Sequence, residues 1–289
     1  MRIRLDIAYD GTHFRGWARQ PGLRTVQGTL EDALARILGG DPRLVVAGRT
    51  DAGVHAAGQV AHLDLDEPQV MRLLESHGRG GGADPVTRLA ARMRGVLGAY
   101  ADVTVRATRR APDGFDARFS AAWRRYEYRL ADGVSGYDPL ERLRTTTVRG
   151  ELDAQKMDAA ARALTGLHDF AAYCKPRAEA TTIRTLLEFD WRRDAGGILI
   201  ANIRADAFCH SMVRALVGAC VSVGEGRLDI EDIVAIRDAA ERVPDIKVLA
   251  ARGLTLAEVG YPRDELLAAR ADQTRARRES GASGGPHGT

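Results

Sequence analysis

The sequence predicts an α+β protein in two halves, each made of strands packed by helices. Segments of two-residue alternation recur through both halves, with helical stripes and caps between them. The order is not the regular βαβ alternation of a parallel sheet. A strand from Arg2 to Tyr9 leads into a loop holding arginines and aromatics. A helix follows over about 26–38: Val26, Leu30, Ala33, Leu34, Ile37 and Leu38 recur at helical spacing, Thr25 suits an N-cap, and Gly39-Gly40 ends it. Strand-like Arg43–Ala47 and Gln59–Asp64 flank a small-residue loop, and Ser76–Pro85 reads as a Gly-rich irregular stretch. A helix near 86–97 and a strand over 102–108 close the first half.

The second half opens with the Tyr126 strand and a strand around 145–149. A helix over about 154–164 carries Met157, Ala160, Ala161 and Leu164 on one face. Residues 182–191 and 198–205 form a hairpin about the turn Asp194-Ala195-Gly196-Gly197. Helices over 211–223 and near 230–240, then a strand over 254–259, complete it. The expected divisions are 1–110, 111–262, and a tail over 263–289. The tail is rich in Ala, Arg, Gly and Ser and too poor in apolar residues to offset the entropy of ordering, so it reads as mostly disordered.

The 289 residues are 45% hydrophobic, as in a globular protein, with no run of about 20 apolar residues to span a bilayer. The chain begins on a strand rather than a signal sequence, which predicts a cytoplasmic protein with no membrane partner. The three cysteines (Cys174, Cys209, Cys220) form no CxxC pair, and their odd number argues against a disulfide framework; they read as small buried hydrophobes. Net charge is only +3, which excludes a uniformly basic surface. Cations are nearly all arginine, with lysine only at 156, 175 and 247. That bias suits phosphate and base contacts, and a GC-rich genome would produce it equally.

One run concentrates the chemistry: Ala47-Gly48-Arg49-Thr50-Asp51-Ala52-Gly53-Val54-His55-Ala56-Ala57-Gly58-Gln59-Val60. Gly48 and Gly53 admit tight turns, and three alanines leave space around a single carboxylate two residues from a cation. For a lone aspartate between strands, an Asx-turn or helix cap is the ordinary role. The string is more specific than that. Gly-Arg-Thr-Asp-Ala-Gly-Val-His with Gly-Gln-Val resembles the active-site motif of the TruA-type tRNA pseudouridine synthases. Five further blocks are similar to the same family, in family order: Tyr9–Gln20, Thr25–Glu31, Phe115–Ala121 with Arg125–Tyr128, Ala207–Arg214, and Gly253–Leu256 with Val259–Pro262. The chain departs from the family over Val96–Val103, where of an Asn-x-x-Leu-Pro-x-Asp-Ile pattern it keeps only Asp102 and an aliphatic.

The resemblance implies two subdomains of mainly antiparallel sheet joined around a central active-site cleft. It implies isomerisation of uridine to pseudouridine at positions 38–40 of the tRNA anticodon stem-loop, by a homodimer. The reaction breaks the C1′–N1 bond, turns the base and joins C1′ to C5, with no redox change and no group entering or leaving. It therefore requires no cofactor or metal, and the seven histidines show no ligand-like spacing to the cysteines. Asp51 is the expected catalytic carboxylate. Arg214, from the Met-Val-Arg match, is its expected ionic partner, against the ordinary role of an arginine snorkelling to solvent. Tyr126 is expected to stack on the target uracil, with Tyr128 structural. Arg49 is assigned to the RNA, with a structural salt bridge as the equal alternative. Arg15, Trp17 and Arg19 are candidate RNA-backbone contacts, and His55 reads as structural. A non-catalytic RNA-binding module and a phosphoryl-transfer enzyme are the other readings. The second needs a carboxylate cluster for Mg²⁺, which residues 47–63 do not supply.

Overall fold

Alternation in Arg2–Tyr9 places Ile3, Leu5 and Ile7 on one buried face, and the first unit is built around that strand. The computed structural model describes residues 1–75, 84–99, 101–176, 181–243 and 246–282. Two units emerge, the first being Met1–Ala122 with Leu256–Arg275 and the second Trp123–Thr255 with the chain from Ala276 on.

In the first unit the order is β1 (Arg2–Tyr9), α1 (Val26–Leu38), β2 (Leu44–Val46), β3 (His55–Asp64), α2 (Glu67–Glu75), α3 (Pro85–Leu97) and β4 (Val103–Arg110). β1 lies between β3 and β4, antiparallel to both. On its other side β3 pairs with β2 over Ala61–Leu63, Leu44 opposite Leu63 and Val46 opposite Ala61, and also with a strand from late in the chain, Leu254–Gly260. α1 begins as expected: the Thr25 hydroxyl accepts the Gly28 N–H at 3.2 Å, and Gly39 at φ +72° ends the helix. α3 packs on β4, and Leu30, Leu34, Leu89 and Met93 are buried.

α2 was not anticipated. It buries little beyond Gln69 and Leu73 and leaves Met71 and Leu74 exposed. The Gly-rich stretch expected at 76–85 lies outside the described residues up to position 83.

The second unit runs β5 (Trp123–Ala131), β6 (Thr146–Thr147), α4 (Ala154–Ala163), β7 (Gly166–Asp169), β8 (Ile183–Arg193), β9 (Leu199–Ala205), α5 (Met212–Gly224) and α6 (Ile230–Ala239). β5, β9, β8 and β7 pair antiparallel in that order, and β6 adds a short parallel edge to β5. The expected hairpin is β8–β9, turning at Gly197 with φ +82°. α4 packs on β8 and on α5. Every α5 residue is buried except Arg214. A Cβ at Gly218 would stand 1.9 Å from the Lys247 carbonyl oxygen, so glycine there lets the chain at 247 lie against the helix.

The chain re-enters the first unit within β10 (Leu254–Gly260) and continues into α7 (Leu267–Ala282). Over 263–282 this corrects the expectation of a disordered tail; the rest of that expected tail, 283–289, lies outside the described residues. Leu267 and Ala271, one helical turn apart, are both buried, and the Ser120 hydroxyl donates to the Leu267 carbonyl at 3.1 Å. Tertiary anchoring at a few positions supplies what composition lacks. Both units combine mainly antiparallel sheet with helices, which is the α+β class the sequence predicts. Among the described residues no helix is long and apolar enough to cross a membrane.

Candidate active site

The loop between β2 and β3 carries Arg49 and Asp51, and its shape follows from local sequence. Ala47 extends the ladder by donating to the Val60 carbonyl at 2.9 Å. Gly53 adopts φ +79°, and the Val54 N–H closes the turn on the Asp51 carbonyl at 3.2 Å. Asp51 is half-buried and Arg49 exposed.

Beneath this loop lies a buried polar network. Thr50 turns inward, its hydroxyl 2.7 Å from the Tyr9 hydroxyl. The Gln59 amide donates to Tyr9 Oη at 3.3 Å and to the Gly48 carbonyl at 2.9 Å. The Thr50 carbonyl accepts the Trp17 N–H at 3.0 Å. Burial pushes the Tyr9 phenol up to about 12, so it remains a neutral hydrogen-bonding group. The far end is held as closely: a Cβ on Gly11 would fall 2.0 Å from the Val54 carbonyl oxygen. His55 is buried, its Nδ1 lying 3.1 Å from the Gly11 nitrogen and 3.0 Å from Asp10 Oδ1. That nitrogen accepts from Gly11 or donates to Asp10, one at a time, according to its protonation. Tyr9, Thr50 and Gln59 have no place in the sequence-level chemistry. All three lie within or beside the motifs, which was the signal available.

The first loop corrects part of that reading. Trp17 is 1% exposed and packs at 6.1 Å from the Tyr9 ring, so it supports the Asp51 loop from below and cannot reach a ligand in solvent. Arg19 bonds Glu31 at 3.0 Å and Asp32 at 2.5 Å, both on α1. Arg15 is exposed. Arg24 forms a bidentate pair with Asp102 at 2.7 and 2.6 Å and stacks over Phe14. The Asp102 carbonyl accepts the Asp10 N–H at 2.8 Å. The one acid kept in the divergent 96–103 stretch therefore ties the start of β4 to the first loop.

Tyr126 and Arg214 belong to the second unit. Tyr126 sits on β5 opposite Ile203, 8% exposed, with Phe208 edge-on to its ring at 5.1 Å. Tyr128 is fully buried, as a structural residue should be. Its hydroxyl lies 2.8 Å from both the Ala250 carbonyl and the Thr146 hydroxyl. The carbonyl can only accept, so Tyr128 donates there and Thr146 donates to Tyr128. Arg214 stands on the first turn of α5, half-buried. Its Nε donates to the Leu249 carbonyl at 2.5 Å while the Leu249 N–H donates back to the Arg214 carbonyl at 3.2 Å. This two-way clasp fixes where the guanidinium points. The residue before the helix, Ser211, is left-handed at φ +66°, a conformation that strains a residue with a Cβ.

The cysteines depart from expectation. Cys174 and Cys209 are joined as a disulfide with Cα atoms 5.8 Å apart, and only Cys220 is a free, buried thiol. No spacing motif marks a pair 35 positions apart.

A family model described as tRNA pseudouridine synthase matches residues 160–262. The tRNA pseudouridine synthase A of Leifsonia xyli subsp. xyli is 60% identical over 277 residues, covering 95% of this chain and 96% of that protein. That of Frankia casuarinae is 51% identical over 277 residues, covering 96% and 95%. Among solved structures, the archaeal box H/ACA sRNP Nop10–Cbf5 complex aligns over 76% of this chain and 43% of that one. Identity there is 10% and TM-score 0.32, too slight a likeness to bear on the site. The matches to curated relatives define a class, the pseudouridine synthases. Within it, the chain belongs to the tRNA pseudouridine synthase A family, isomerases that convert uridine to pseudouridine.

Proposed function

We propose that this chain isomerises uridines 38 to 40 of the tRNA anticodon stem-loop, with Asp51 as the essential carboxylate and no cofactor or metal. The observation that carries the reading is the loop itself: one half-buried acid, held on a rigid turn by a dedicated network, in a member of a uridine-isomerising family. Asp51 either attacks C1′ or removes a ribose proton to give a glycal, and both routes need it ionised.

Tyr126 receives the uracil face. Base–aromatic stacking contributes about 1–3 kcal/mol, enough to offset much of the cost of flipping a base from the stem. The Leu249 clasp fixes the Arg214 guanidinium, whose role in this reading is that of ionic partner to Asp51. Arg49, exposed beside Asp51, grips a flanking phosphate or fills the space the flipped base leaves. The enzyme acts as a homodimer in the cytoplasm, one tRNA bridging both subunits.

The test is tritium release from tRNA carrying [5-³H]-uridine at these positions, with no metal or nucleotide added. Wild type releases tritium and Asp51→Ala does not. Binding without release by wild type would replace this reading with that of an RNA-binding module.

A further inference from the structure

Two segments of the second unit converge at its cystine. Cys174 caps the short 3₁₀ turn Ala171–Tyr173, donating its N–H to the Ala171 carbonyl at 3.1 Å. Cys209 lies in the segment 206–211 that leads from β9 into α5. One residue on from each sulfur the backbones meet again, the Lys175 N–H donating to the His210 carbonyl at 2.8 Å. The Cα separation of 5.8 Å is in the range where a disulfide closes without backbone movement. The two thiols therefore start as neighbours whether or not they are bonded.

Their environments differ in the way an exchange reaction requires. Cys174 is 1% exposed and Cys209 half-buried, so a small oxidant reaches Cys209 first and Cys174 waits as the resolving thiol. Lys175 follows Cys174, and a positive charge nearby favours thiolate. No group of three or more His, Cys, Asp or Glu gathers among the described residues, so the pair is not part of a metal-ligand set there. Cys220 is fully buried, and burial pushes its thiol up to about 12, which makes it an inert internal control.

We propose that Cys174 and Cys209 form a reversible oxidation site for low-molecular-weight disulfides, and that its closure pins the segment 206–211 from which α5 starts. The Cys209 thiolate attacks the oxidant's S–S bond, forming a mixed disulfide and releasing one thiol. The Cys174 thiolate then attacks Cys209 Sγ, the internal bond forms, and a second thiol leaves. The protein gives up two protons and two electrons; the oxidant's disulfide takes them as two thiols. A monothiol in excess reverses both steps. The pinned segment carries Phe208, which packs on Tyr126, and Ser211, whose left-handed backbone sets the direction of α5. Closure thus acts on the ring that packs against Tyr126.

The experiment counts thiols in full-length protein, denatured after incubation with oxidised or reduced glutathione. The expected result is one reactive thiol after the disulfide and three after the thiol, from the three cysteines of the chain. Intact mass should fall by about 2 Da on oxidation, the two hydrogens lost, with no added glutathione. Cys174→Ser should instead retain a glutathione adduct at Cys209, because the resolving thiol is gone. Hydrogen exchange over 206–213 should be several-fold slower in the oxidised protein, and unchanged over 47–54. Three thiols after oxidation, or an adduct surviving in wild type, would overturn the site. Equal exchange over 206–213 in the two states would overturn the pinning. None of these readings depends on catalysis, so they stand or fall apart from the role given to Asp51.

Discussion

The loop that carries Asp51 and the segment that leads into Arg214 are built on opposite plans. The loop places its positive φ at Gly53, where glycine removes the steric penalty, and fastens itself with buried polar bonds from Tyr9, Thr50 and Gln59. The segment places its positive φ at Ser211, at a cost of about 1–2 kcal/mol, and is fastened by a cystine and by backbone bonds to residues far along the chain. A site can thus be held by an unstrained turn over a dedicated network or by a strained turn that long-range links over-determine. The first plan yields to single polar deletions; the second should tolerate relief of its strain.

The largest effect separates chemistry from scaffold. Asp51→Asn should lower turnover by at least roughly 10³-fold while leaving the urea midpoint unchanged. A residual rate within tenfold of wild type would remove Asp51 from the reaction. Gly11→Ala comes next, because its Cβ would meet the Val54 carbonyl at 2.0 Å and one of the two backbones must move. Equilibrium unfolding should register a loss of about 2–3 kcal/mol, with activity falling alongside. An unaffected variant would show that the two loops do not brace one another.

Tyr9→Phe removes one hydroxyl from the network and should cost about 1–2 kcal/mol, since Thr50 and Gln59 are left short of a partner. It also has a pH signature. Burial pushes the folded Tyr9 phenol up to about 12 against 10.0 for an unperturbed one, so its contribution is complete below pH 10 and lost as pH rises towards 12. The variant should lose less stability than wild type across that window, and identical alkaline curves would refute the assignment. Ser211→Gly is the smallest and runs the other way, with a net gain of at most about 1 kcal/mol once the flexibility of glycine in the unfolded chain is subtracted. A loss instead would mean that the Ser211 side chain stabilises the turn.

The same contrast explains what could be read from the chain. Elements fixed by local rules were legible: α1 starts after Thr25 and ends at Gly39, and the β8–β9 hairpin turns at Gly197. The Asp51 loop stood out because glycines, alanines and one acid are concentrated in a few positions. Features set by distant partners were not legible. Trp17 looked available to RNA because a loop arginine flanks it on either side, yet its backbone runs under Thr50 and buries the ring. Cys174 and Cys209 share no spacing rule. α7 rests on Leu267 and Ala271, too little apolar surface for composition to register. β7 went unread because its four residues are all half-buried or exposed.

The first unit is discontinuous, since Leu256–Arg275 belongs to it: Ala122 donates to the Gly260 carbonyl at 2.8 Å, and Tyr261 donates to the Ala117 carbonyl at 2.7 Å. A ribosome adding about 5–20 residues per second makes the intervening Trp123–Thr255 in roughly 7–27 s. During that interval the Asp51 loop has emerged but the strand that flanks Gly58 has not. The nascent first unit must wait half-built, with a sheet edge open to solvent or to a chaperone, while the later-encoded unit has its own strands to hand.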